Sequence, residues 1–154
     1  MDLETAILMC VLRVYGPDFD PETYLASGSH FKPLRVYVPG DPIYDKRAAK
    51  RGDTEKGFHV GVSNRPWEDW EGQIADATAF LTDHAAELEA LRDLPEVTTL
   101  DLDFPTEADP EERHVTIWGG GFPSAFIRAA ARAGVDVQVT LYFATADAED
   151  GEGE

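Results

Sequence analysis

Val11-Leu12-Arg13-Val14-Tyr15-Gly16-Pro17-Asp18-Phe19 and His114-Val115-Thr116-Ile117-Trp118-Gly119-Gly120-Gly121-Phe122 align residue for residue. Each stretch alternates as a strand, ends in an aromatic, breaks at glycine and enters a helix through Phe and a nearby proline. Such a pair predicts a fold of two related strand–turn–helix halves. The equivalent positions would be Leu12/Val115, Val14/Ile117 and Phe19/Phe122.

Working outward from the first copy, Ala6–Tyr15 reads as a strand with apolar side chains on both faces, as a covered central strand requires. Asp20 caps a short helix that has Pro21 at its first position and closes near Ser27-Gly28. Leu34–Val38 alternates as a second strand. Tyr44–Lys56 has almost no large apolar residues and is expected to be a mobile basic loop, about residues 44–56. Phe58, Val60 and Val62 give a third strand. A single long helix is expected from Asn64, with a seam at Trp67, Trp70, Ile74, Ala77, Leu81, His84, Leu88 and Leu91. Leu100, Leu102 and Phe104 mark a fourth strand. Thr106–Arg113 reads as an acidic hairpin loop, and Val115 and Ile117 mark a fifth strand. Pro123 opens a helix that Gly134 closes. Val135, Val137, Val139, Leu141 and Phe143 alternate as a last strand facing the core.

From residue 58 the order is β-α-β-β-α-β, the ferredoxin-like pattern. The expected class is α+β: a mainly antiparallel sheet with helices packed mostly on one face. With 154 residues, one domain over residues 1–146 is the default. Residues 147–154 are too polar to fold and form an acidic tail.

The formal charge is −17. That acidity repels nucleic acid and anionic membranes. Residues 32–65 nevertheless hold eight of the thirteen bases against four acids. They are a solvated basic segment or a docking loop for an acidic partner or an anionic ligand. The single cysteine, Cys10, excludes an internal disulfide and fits core packing in a reducing cytoplasm. The start of the chain lacks a basic leader and reads as a strand, not a signal peptide.

No HExxH, CxxC, nucleophile elbow or P-loop lysine is present, so no metal, cofactor or catalytic residue is assigned. Turn geometry accounts for Gly119-Gly120-Gly121. Strand alternation does gather one polar face. Asp101 and Asp103 lie two apart on one strand. His114, Thr116 and Trp118 share that face, as do Asp136, Gln138, Thr140 and Tyr142 on the last strand and His59 on the third. The candidate ligand- or partner-binding residues are Asp101, Asp103, His114, Thr116, Trp118, Gln138 and Tyr142. The bland reading is the wet side of a half-buried sheet.

Gly16-Pro17-Asp18-Phe19-Asp20-Pro21-Glu22 after a hydrophobic strand resembles the start of the bacterial domain of unknown function family 4279. The ending is similar too, where Phe126-Ile127 and Ala133-Gly134 lead into Val139-Thr140-Leu141-Tyr142. The resemblance covers roughly residues 6–143. The family's K-G-D-like turn is matched by either Pro39-Gly40-Asp41 or Arg51-Gly52-Asp53. The resemblance implies no catalytic residues, and it permits an immunity-type role. The expected function is a soluble, cytoplasmic, non-catalytic binding protein that recognises a basic partner protein. The alternative is a small-ligand binder or enzyme using the polar face around Asp101, Asp103 and His114. A homo-oligomer built on that face is a third class.

Overall fold

The computed structural model describes residues 9–108 and 119–143. Strands β1 (Cys10–Gly16), β2 (Pro33–Tyr37), β3 (Lys56–Ser63), β4 (Thr99–Ala108) and β5 (Asp136–Phe143) form one sheet in the order β2-β3-β1-β4-β5. The β2/β3, β3/β1 and β1/β4 pairs are antiparallel, and β4/β5 is parallel. The parallel pair follows from connectivity, because a helix lies between those strands and supplies the crossover. The protein is α+β, and its described residues form this mixed sheet and five helices: α1 (Pro21–Ala26), α2 (Pro42–Arg51), α3 (Trp70–Asp83), α4 (Ala85–Asp93) and α5 (Ser124–Ala133).

Alternation sorts the strands into two faces. Leu12, Val14, Phe58, Val60, Leu100, Leu102 and Phe104 point into one core with Ile74, Ala77 and Leu81 of α3, Leu88 and Leu91 of α4, and Phe126 and Ala130 of α5. Helix α1 starts as its sequence dictates, with Asp20 accepting from Thr23 N–H and Pro21 in the first turn. Cys10 is fully buried, and burial raises its thiol pKa.

Four expectations change. The ferredoxin-like order is not confirmed: β1 lies between β3 and β4, and the member expected at Val115–Ile117 is outside the described residues. The long helix is two helices. Asp69, not Asn64, caps the first through Gly72 N–H, and His84 at φ −110°, ψ 15° joins the two. The apolar seam reads through this joint because Leu81 and Leu88, on either side, are both fully buried. The expected hairpin loop begins later, since β4 runs on to Ala108. Finally, Val137, Val139 and Leu141 do not enter the core. They are 39, 46 and 50% exposed, because the buried residues of α5 cover only the start of β5 near Val135.

The expected mobile loop at 44–56 is also corrected, because most of it is helix α2. Asp41 accepts hydrogen bonds from the Ile43 and Tyr44 N–H groups. Pro42 suits the first turn, and Gly52 closes the helix at φ 65°, a conformation that favours glycine. Low apolar content concealed this helix because it buries Tyr44 alone.

The proposed repeat is tested only in part. Phe19 and Phe122 both pack on the core. Gly16 and Gly119 differ, since a Cβ at Gly16 would collide with the Glu96 carbonyl while one at Gly119 meets nothing. The second strand of the repeat and the tail 147–154 lie outside the described residues.

Candidate functional site

The face opposite the core carries the polar residues that strand alternation predicts. Cross-strand register sets Arg35, His59, Arg13, Asp101 and Asp136 in a row from β2 to β5. Tyr37 and Tyr15 flank Gly57 in the next row. The face divides into an acidic half on β4–β5 and an aromatic, arginine-bearing half on β2–β3–β1.

In the acidic half, Asp101 and Asp103 are only 7 and 8% exposed. Arg13 grips Asp101 with two parallel bonds of 2.8 Å, from Nε and Nη2. Such a bidentate pair is strong and directional. Arg13 Nη2 also donates to Gln138 Oε1 at 3.0 Å. Gln138 Nε2 donates to Thr140 Oγ1 at 3.2 Å, and Thr140 donates to Asp103 at 2.6 Å. This chain fixes the Gln138 amide. Asp103 has a raised pKa because burial disfavours its charged form. Burial likewise raises the phenol pKa of Tyr142, with Asp103 adding to the effect.

In the aromatic half, the Tyr15 hydroxyl lies 2.7 Å from His59 Nε2, and the Tyr37 hydroxyl lies 3.4 Å from His59 Nδ1. Burial, then the charges of Arg13, Arg47 and Arg35, lower the His59 pKa to about 4. The imidazole is therefore neutral at physiological pH, donating from one nitrogen and accepting at the other. Helix α2 covers this half. The Arg47 guanidinium sits 5.5 Å from the Tyr15 ring centre and 5.1 Å from that of Tyr37. Gly57 makes the ring packing feasible, since a Cβ there would come within 2.6 Å of the Tyr15 ring.

Sequence reasoning thus placed Asp101, Asp103, Gln138 and Tyr142 on one face, together with His59 and Thr140. His114, Thr116 and Trp118 lie outside the described residues. Sequence reasoning missed Arg13, Arg35, Arg47, Tyr15 and Tyr37. The signal was available in β1, where Arg13 interrupts an apolar strand and so needs a buried partner.

On the core side of the sheet, α3 and α4 present a second acidic surface. From Glu68 to Glu96 the chain has nine acids and one base, Arg92. Glu68, Glu71, Asp83, Glu89, Asp93 and Glu96 are exposed. Beside the start of α3 an open cleft of about 840 Å³ runs between Glu68, Glu71, Trp70 and the Gly119–Phe122 segment. Trp70 Nε1 donates to the Gly121 carbonyl at 2.8 Å across its floor. The remaining histidines serve other contacts: His30 is 3.6 Å from Glu87, and the His84 ring packs on Phe31 and Phe80. Among the described residues no group of side chains could hold a metal ion, and no helix is long and apolar enough to cross a membrane.

No protein-family model matches the chain, and no curated protein or solved structure matches it.

Proposed function

We propose that the protein is a non-catalytic binding protein that recognises a basic partner protein through the acidic surface of α3 and α4. The observation that carries this reading is a contrast in how carboxylates are used. Asp101 is committed to Arg13, whereas Glu68, Glu71, Glu89 and Asp93 make no ion pair among the described residues. Unpaired exposed charge steers encounter and favours a partner of opposite sign. The cleft adds an aromatic wall between carboxylates, suited to a lysine or arginine side chain. An immunity-type protein that neutralises a basic toxin in the cytoplasm is the concrete version. The resemblance to family 4279, in the short motifs of Gly16–Glu22 and Phe126–Tyr142, permits this role.

A second reading, a small-ligand binder or enzyme on the polar sheet face, is favoured by Asp103, a carboxyl whose pKa burial raises. Burial that raises a carboxyl's pKa makes it easier to protonate, which suits acid–base work. The arginine grip on Asp101 weighs against it by removing one of the two carboxylates from chemistry.

The test is to capture partners from the native host, then measure association rates against ionic strength for wild type and for Glu68→Lys/Glu71→Lys. Screening shortens the reach of charge from about 10 Å at 0.1 M to about 3 Å at 1 M salt. Association should slow as salt rises, and the double reversal should slow it further at low salt. Salt-independent association, or no effect of the reversal, rejects the acidic docking surface.

A further inference from the structure

Arg47 is held unlike its neighbours. Arg13 makes two 2.8 Å bonds to Asp101, and Arg35 makes bonds of 3.2 and 3.0 Å to Asp41. Arg47 has Asp53 at 4.0 Å from one terminal nitrogen and a polar contact with the Tyr15 phenol. Its Nε and Nη2 are buried and have no hydrogen-bond acceptor. The guanidinium lies against the rings of Tyr15 and Tyr37, and His59 packs against both of those rings. Tyr15 and Tyr37 lie 5.9 Å apart, and His59 is 5.5 Å from Tyr15 and 4.8 Å from Tyr37. Both tyrosine hydroxyls are turned to His59, so the cluster offers π faces and few acceptors.

We infer that Tyr15, Tyr37 and His59 form an aromatic cage for a methylated ammonium group, and that Arg47 of α2 occupies this cage as an internal substitute. The chemistry follows from the missing acceptors. A guanidinium leaves buried N–H donors unsatisfied there, which is unfavourable. A quaternary ammonium has no donor to satisfy and gains the same attraction from the rings. The two other cations beside the cage, Arg13 and Arg35, are each paired with a carboxylate, Asp101 and Asp41. The substitute is lightly fastened, since Tyr44 is the one buried side chain of α2. The N-cap Asp41 stays paired with Arg35 of β2, so exchange needs only the Arg47 side chain to swing out and not the helix to leave. This site lies on the opposite side of the sheet from α3 and α4 and does not depend on the acidic docking surface. A small probe therefore tests it whether or not a protein partner exists.

The experiment titrates the full chain, as wild type and as Arg47→Ala, with tetramethylammonium, choline and a trimethyllysine peptide, with the unmethylated lysine peptide as control. The ring-proton shifts of Tyr15, Tyr37 and His59 report binding. Removing the internal occupant should tighten binding of the methylated probes by about tenfold or more, the scale of one desolvated cation–π contact. Tyr37→Leu in the Arg47→Ala background should abolish it. Choline binding as tightly as the peptide identifies a small-molecule ligand, and tighter peptide binding identifies a methylated protein. Arg47→Met, which keeps the aliphatic stem, replaces Arg47→Ala if the latter does not fold. The inference is overturned if the folded variant gives no saturable ring shifts, if lysine and trimethyllysine peptides bind alike, or if Tyr37→Leu leaves binding intact. Failure of both Arg47 variants to fold overturns it too, because Arg47 would then be an anchor and not an exchangeable occupant.

Discussion

On the helical side of the sheet, Leu12, Val14, Phe58, Leu100 and Leu102 are fully enclosed by apolar side chains. On the other side, Tyr15, Asp101 and Asp103 are also less than a tenth exposed. There the enclosing groups are an arginine fork, a run of side-chain hydrogen bonds and a covering helix that buries one residue. The same strands supply both faces. Burial depth therefore does not reveal what holds a face together. The helical side is held by area removed from water, which is non-directional and tolerant of small shifts. The polar side is held by directional bonds, each of which matters mainly because its absence would leave a buried charge or donor unmatched.

The largest expected effect breaks the helical side. Phe58→Ala should cost about 3–5 kcal/mol and Ile74→Ala about 2–5 kcal/mol, the usual range for emptying a packed site. Urea melts check both. A loss near zero at Ile74 would mean that α3 does not close the core. The next effect separates the two sides. Asp101→Ala leaves the Arg13 guanidinium half-buried without its carboxylate and should cost about 2–3 kcal/mol. Arg13→Met combined with Asp101→Leu should recover most of that loss, since a well-packed apolar pair often replaces an ion pair without penalty. No such recovery exists for a truncation at Phe58. A double variant as unstable as Asp101→Ala would show that the polar side works by packing as the helical side does.

How much of this was legible follows the same division. The helical side was readable because period and burial coincide: Ile74, Ala77, Leu81, Leu88 and Leu91 fall at helical spacing and all are buried. The polar side was readable only as alternation, which put Asp101, Asp103, Gln138 and Tyr142 on one face but could not say that Arg13 reaches across to Asp101. That contact depends on the β1/β4 register, which no local pattern encodes. Helix α2 was missed because hydropathy reports what an element buries, and this one buries a single tyrosine and stacks an arginine on rings. Its capping signals, Asp41-Pro42 and Gly52, were present but pointed equally to turns. The exposed apolar edge of β5 was misread for the converse reason, since Val137, Val139 and Leu141 alternate as core residues do and only the extent of α5 reveals that they are uncovered.

A smaller effect is pH-dependent and belongs to the aromatic half. The His59 pKa is lowered to about 4 from an ordinary value of 6.5. Between those values the unfolded chain binds a proton that the folded chain refuses. The contribution of His59 to stability is therefore complete above pH 6.5 and is lost as pH falls toward 4. His59→Gln should flatten that limb of the stability profile. A slope unchanged by the substitution would mean that His59 is not kept neutral by its surroundings.

The smallest effect is expected at Asp103, and its sign is opposite. Its folded pKa is raised above the ordinary carboxylate value of 3.8, so as pH falls the folded chain takes up the proton before the unfolded chain does. Stability from this group therefore increases on acidification, offsetting part of the His59 loss. Asp103→Asn keeps an acceptor for the Thr140 hydroxyl and removes the buried charge. At neutral pH it should stabilise the protein by at most about 1 kcal/mol, within the ordinary scale of single substitutions. On the acid side it should steepen the decline, because the offsetting uptake is gone while His59 still titrates. Urea melts of wild type, Asp103→Asn and His59→Gln at several pH values between 4 and neutral separate the two contributions. If Asp103→Asn instead destabilises at neutral pH, the ionised carboxylate is needed by the Arg13–Gln138–Thr140 chain, and the polar side is bound by net charge and not by hydrogen-bond geometry alone.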